Sequence, residues 1–105
     1  MRNVKIKVET EEQNIKVQET VMDLNKEIGR TALDVYLTDS YDYYGYQNYE
    51  TCRLVCSRWE KYKYLVINRD LDLYICITED IWKKRKEKEV SYEEFMKRKL
   101  NNEKR

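Results

Sequence analysis

The sequence predicts one small α+β domain, and three features carry that expectation. Residues 3–9 alternate apolar and polar side chains. Residues 10–29 repeat apolar side chains at helical spacing between a capping threonine and a glycine. Residues 52–77 hold three β-prone runs joined by short turns. The expected architecture is an antiparallel sheet of about four to five strands, an N-terminal amphipathic helix and one or two C-terminal helices.

In the stretch NVKIKVE, Val4, Ile6 and Val8 alternate with Lys5, Lys7 and Glu9, the period of a strand with one buried face. Thr10 with Gln13 three residues on matches a capping box. Val17, Val21, Leu24 and Ile28 then recur at helical spacing, and Gly29 offers a stop, so a helix is expected over 11–29. A short strand at 15–17 followed by a helix from Thr20 is the competing reading. TALDVYLT at 31–38 reads as a strand, and the Tyr-rich segment 39–50 reads as a loop.

Three β-prone runs follow at 52–59, 62–68 and 72–77. The last two are joined by the turn Asn68-Arg69-Asp70-Leu71 as a hairpin. Thr78 with Glu79 and Asp80 makes an N-cap and acidic first turn, with Lys83 to Lys86 toward the helix end. Ser91 and Glu94 form a second capping box that opens a helix through Tyr92, Phe95, Met96 and Leu100, with 101–105 fraying. Neither a linker nor an internal repeat is visible, so 1–105 reads as a single domain.

Composition narrows function. The chain is 39% charged yet carries a net charge of only +1. Residues 1–50 hold six basic and ten acidic side chains, net −4, whereas 51–105 hold fifteen basic and ten acidic, net +5. That is the pattern of a dipolar molecule, not of a uniformly basic nucleic-acid binder. The chain has no histidine, which removes the commonest general base and the commonest metal ligand. Its three cysteines, Cys52, Cys56 and Cys76, lack zinc-site spacing and suit reduced core thiols in a cytoplasm. With no apolar run long enough to span a bilayer and no signal-like start, membrane contact is not expected. Lys, Asn, Ile, Tyr and Glu richness suits an AT-rich genome, such as a low-GC bacterium or its phages.

The segment YDYYGYQNYE at 41–50 is the leading candidate site. Residues 31–50 contain no base, four acids (Asp34, Asp39, Asp42, Glu50) and six tyrosines (Tyr36, Tyr41, Tyr43, Tyr44, Tyr46, Tyr49). Tyrosine brings rigid contact area at low entropic cost, and short polar residues add adaptable hydrogen bonds, as in antibody-like recognition loops. The bland alternative is that Tyr41/Tyr43 or Tyr44/Tyr46 alternate along an edge strand and cover the sheet. Carboxylates repel phosphate, so the fitting partner is a protein with a basic surface, such as one that itself handles nucleic acid. A homodimer interface is the other use of such an edge.

The expectation is therefore a cofactor-free, non-enzymatic inhibitor of a host nucleic-acid-handling or defence protein. Phages and mobile elements encode anti-CRISPR and anti-restriction proteins of that general style. The alternative is a nucleic-acid-binding accessory protein that uses Trp82, Lys83, Lys84, Arg85, Lys86, Lys97, Arg98 and Lys99. Pairs at helical spacing, Arg85/Glu89 and Glu93/Lys97, argue instead for a solvated charged face. A third reading places Mg²⁺ at Asp70 and Asp72, with Glu60, Asp34 or Asp39 completing a nuclease-like site. A hairpin turn asks for aspartate anyway.

Overall fold

The computed structural model describes residues 2–31, 33–37, 42–47 and 63–103, with the backbone course alone at 42–47 and 98–103. The first strand, β1 (Val4–Lys7), leads into helix α1 (Glu11–Glu27). Thr10 caps α1 by accepting from the Gln13 amide at 3.1 Å, and Gln13 Oε1 accepts in return from the Glu9 amide at 2.8 Å. At the other end Gly29 takes φ +89°, its amide donates to the Lys26 carbonyl, and the Arg30 amide donates to that of Asn25. This is a Schellman stop, and it needs the left-handed conformation glycine adopts without strain. The helix expected over 11–29 is therefore present, and the strand alternative at 15–17 is not.

Two strands follow, β2 (Leu33–Leu37) and β3 (Asp42–Gln47). The loop expected at 39–50 is thus corrected at its centre: residues 42–47 form a strand antiparallel to β2. Tyrosine favours the pleated surface, and Gly45 has a structural use. Asp34 pairs with Tyr46 and Tyr36 with Tyr43, so Val35 faces both Tyr44 and Gly45. That two-against-one count is a β-bulge, where glycine is at home. A glycine and an aspartate that read locally as turn residues hid a strand. The expected strand 52–59, with Cys52 and Cys56, lies outside the described residues.

Strands β4 (Tyr64–Ile67) and β5 (Leu73–Cys76) form the expected antiparallel hairpin. Its turn is organised by Asn68, whose Oδ1 accepts from the Asp70 and Asp72 amides at 3.0 and 2.9 Å, with Leu71 at φ 63°. Helix α2 (Glu79–Lys84), strand β6 (Lys88–Ser91) and helix α3 (Tyr92–Glu103) complete the order. Thr78 and Ser91 cap the two helices as their spacing predicts, accepting from the Ile81 and Glu94 amides.

The six strands among the described residues make one sheet in the order β3-β2-β5-β4-β1-β6. It is mixed where a wholly antiparallel sheet was expected: β1 pairs with β6, and β2 with β5, in parallel. Helix α1 crosses from β1 to β2, which run in the same direction with β4 and β5 between them. One face carries the main core, where Val4, Ile6, Leu33, Val35, Leu65, Leu73 and Ile75 pack with Val17, Val21 and Met22 of α1 and Phe95 of α3. Each such side chain contributes roughly 1.5–3 kcal/mol on burial. On the other face α2 sets Trp82 against Val66 and Cys76, with Tyr64, Tyr74 and Ile81 at the margin.

Candidate interaction surfaces

Three candidate sites occupy three different parts of this sheet. The tyrosine segment is at one end of it. Strand β3 is last in the strand order, and among the described residues nothing pairs with its outer side. Its six residues, DYYGYQ, carry three tyrosines, one acid and no base. Behind it on β2, the half-buried Tyr36 ring stacks on Tyr74 of β5 at 4.9 Å and 16°. Asp39, Tyr41, Tyr49 and Glu50 lie outside the described residues.

The basic C-terminal residues are not one helical face. β6 separates α2 from α3, a four-residue strand that the expected pair of successive helices does not include. Lys83 Nζ is 3.1 Å from Glu79, and the Tyr64 hydroxyl donates to the same carboxylate at 3.2 Å. Lys83 and then Tyr64 hold the Glu79 carboxyl below its ordinary range. Arg85 grips Glu87 through two bonds at 3.0 and 2.8 Å and lies over the Tyr74 ring at 5.4 Å. Its partner is Glu87 and not the expected Glu89, because the backbone turns extended at Arg85 and helical spacing no longer applies. Lys84, Lys86 and Lys97 are exposed, and Arg98 and Lys99 lie on the backbone of α3.

The role of Trp82 as a stacking platform needs correction. Trp82 is only 3% exposed, and its Nε1–H donates to the Leu65 carbonyl at 3.1 Å. A ring so placed packs against the sheet and cannot meet a base. Lys5 sits beneath it with an ammonium that has left solvent. Its Nζ donates to the carbonyls of Trp82, Lys83 and Arg85 at 3.1, 3.2 and 3.3 Å, and lies 4.7 Å from the Trp82 ring centre. The alternation of 3–9 marks Lys5 as a polar-face residue. It gives no sign that helix carbonyls from the far end of the chain come to rest on it.

The Arg85–Glu87 pair gives a pH prediction. Burial pushes the Glu87 carboxyl up, but the hydrogen bond and charge of Arg85 outweigh it, and the net shift is downward. A carboxylate lowered on folding stabilises above its unfolded pKa, and that contribution disappears as pH falls through the folded value. Glu87→Gln should therefore cost about 1 kcal/mol at neutral pH, allowing for the partial exposure of Arg85. The difference between variant and wild type should vanish in acid. Denaturation curves at neutral and acid pH check this, and an equal deficit at both would refute it.

The aspartates of the proposed Mg²⁺ site are used by the fold. Asp72 accepts from Asn68 Nδ2 at 3.3 Å and faces Arg30 at 3.7 Å. Burial, opposed by Asn68 and assisted by the nearby charge of Asp34, raises its carboxyl above the ordinary range. Asp70 is exposed at the turn, beside Arg69. Glu60 and Asp39 lie outside the described residues. Among the described residues no three His, Cys, Asp or Glu side chains are grouped to hold a metal ion. Cys76 is buried beside Val66 and Trp82 and is in no disulfide among the described residues.

The chain matches no family model, no curated protein and no solved structure. Among the described residues no helix is long and apolar enough to cross a membrane.

Proposed function

We propose that the protein is a non-enzymatic binding module that grips a partner protein through the β2–β3 end of its sheet. The observation that carries this reading is the position of β3: a tyrosine-rich strand without a base, last in the strand order among the described residues. An edge strand offers main-chain donors and acceptors to an incoming strand, while tyrosines flanked by acids supply contact area and select a basic partner. The partner is a protein whose basic surface handles nucleic acid, and the chain inhibits it. Size and composition align it with the small anti-CRISPR and anti-restriction proteins of phages and mobile elements, an argument by analogy.

Affinity capture from a low-GC bacterial lysate, with wild type beside the paired variants Tyr41→Ala/Tyr43→Ala and Tyr44→Ala/Tyr46→Ala, tests the reading. Each pair should cost about 2 kcal/mol or more of partner affinity and about 1 kcal/mol or less of fold stability. A collapsed melting transition would make those rings part of the core and end the proposal. Sedimentation separates out self-pairing: a dimer broken by the same variants makes the edge a homodimer interface instead. DNA and RNA should not bind at low salt. Binding that falls steeply with salt would favour the basic residues as a nucleic-acid site.

A further inference from the structure

A second surface lies on the helical side of the sheet, away from β3. Helices α1 and α3 meet where Thr20 Oγ1 contacts Met96 Sδ at 3.7 Å, and they leave a trough of about 570 Å³ between them. Tyr92 and Met96, one helical turn apart on α3, give it an apolar floor beside Thr20, and both are only half-buried. Its rim carries more acid than base: Glu19 and Asp23, one turn apart on α1, and Glu93 on α3 line it with Lys16 and Lys97.

The trough does not stop at Thr20. A second hollow runs on along α1 past Ile15 and shares Lys16 and Glu19 with the first, adding Glu11 and Glu12 to the rim. Along the combined length five carboxylates face two ammonium groups, Lys16 and Lys97. Lys16 is engaged with Glu12 at 3.8 Å.

We propose that this α1–α3 trough is a docking site for a basic amphipathic helix of a partner protein. Two helices flanking an apolar floor form the groove into which an amphipathic helix lays its apolar face. Methionine and tyrosine suit the floor, because the thioether adapts to the inserted side chains and the ring adds rigid area. The carboxylate rims match lysine or arginine on either side of the apolar stripe and repel nucleic acid and anionic lipid. The site shares no residue with β3, so each surface can be disabled while the other is left intact.

The test measures binding of the full chain to a synthetic peptide with leucine and lysine at helical spacing. A scrambled peptide of the same composition and a leucine–glutamate peptide serve as controls. The Leu/Lys helix should bind, and both controls should bind at least about tenfold more weakly. Glu19→Lys with Asp23→Lys should weaken binding about tenfold or more, while Lys97→Glu should strengthen it several-fold by removing an opposing charge. A gain of affinity at Lys97 cannot come from unfolding, and melting curves verify that each variant is folded.

Equal binding of the scrambled peptide, or no response to the three substitutions, would overturn the proposal. So would a concentration-dependent dimer dissolved by Glu19→Lys/Asp23→Lys, which would make a second copy the occupant. Loss of peptide binding in the Tyr44→Ala/Tyr46→Ala variant would also overturn it, by moving the contact to β3.

Discussion

Trp82→Ala should lower stability by about 3–5 kcal/mol, a large share of the 5–15 kcal/mol typical of a whole domain. The indole is the largest side chain between α2 and the sheet, where it covers Val66 and Cys76 with Tyr64 tilted beside it at 5.7 Å. α2 has only six residues, too few to hold a helix in isolation, so its docking depends on tertiary contacts, of which this ring is the largest. Truncation opens a cavity and also leaves the Leu65 carbonyl without its indole donor. Trp82→Phe separates the two effects. It keeps most of the apolar area and deletes the donor, so it should cost about 1–2 kcal/mol. Urea denaturation checks both values. A Trp82→Ala protein within about 0.5 kcal/mol of wild type would mean that the ring is free at the surface after all.

The same tryptophan shows where the sequence is legible and where it is not. Local signals read well: the alternation of 3–9, the caps at Thr10, Thr78 and Ser91, the Gly29 stop and the Asn68 turn all describe neighbours a few residues apart. Trp82 stands at the head of WKKRKEK, and locally that run reads as surface. What buries it is Val66, Cys76 and Tyr64, with Lys5 beside the ring, brought together only by the finished sheet. β6 is hidden for the same reason. KEVS has one buried side chain, Val90, and its pairing with β1 is parallel and crosses most of the chain.

Helix α1 was legible in extent but not in facing. Its apolar repeat ends at Ile28, which is 49% exposed at the C-cap, whereas Asn14, Gln18 and Asn25 are buried. Asn25 is inside because it has work there: its Nδ2 donates to the Val21 and Leu71 carbonyls, and its Oδ1 accepts from Arg30. Hydropathy cannot foresee a buried amide whose partners lie in a hairpin turn elsewhere in the chain. The candidate sites follow the same division. The density of tyrosine at 41–50 is visible in the sequence, but its position at the sheet end depends on long-range strand order. The α1–α3 trough exists only once two distant helices share a sheet face.

Lys5→Met should cost about 3 kcal/mol, with a fall in Tm of roughly 10–20 °C. Methionine preserves the length and apolar stem of lysine, so the packing against Trp82 survives and the loss is that of the ammonium. A helix end leaves its last carbonyls without intrahelical donors, and the helix dipole makes that end negative. In α2 a strand residue answers both needs, since one buried cation meets the carbonyls of Trp82, Lys83 and the C-cap residue Arg85, of which Trp82 also accepts from the Arg85 amide. Lys5→Arg should recover only part of the loss, because a planar fork cannot aim its donors at three converging oxygens as an ammonium does. Crossing Lys5→Met with Trp82→Leu, which removes the ring but keeps the backbone carbonyl, should give a coupling of about 1–2 kcal/mol from the cation–ring contact. Additive losses would mean that the ammonium acts on the carbonyls alone. A Lys5→Met protein as stable as wild type would show that α2 holds its place without the cap, so that the short helix rests on Trp82 by itself.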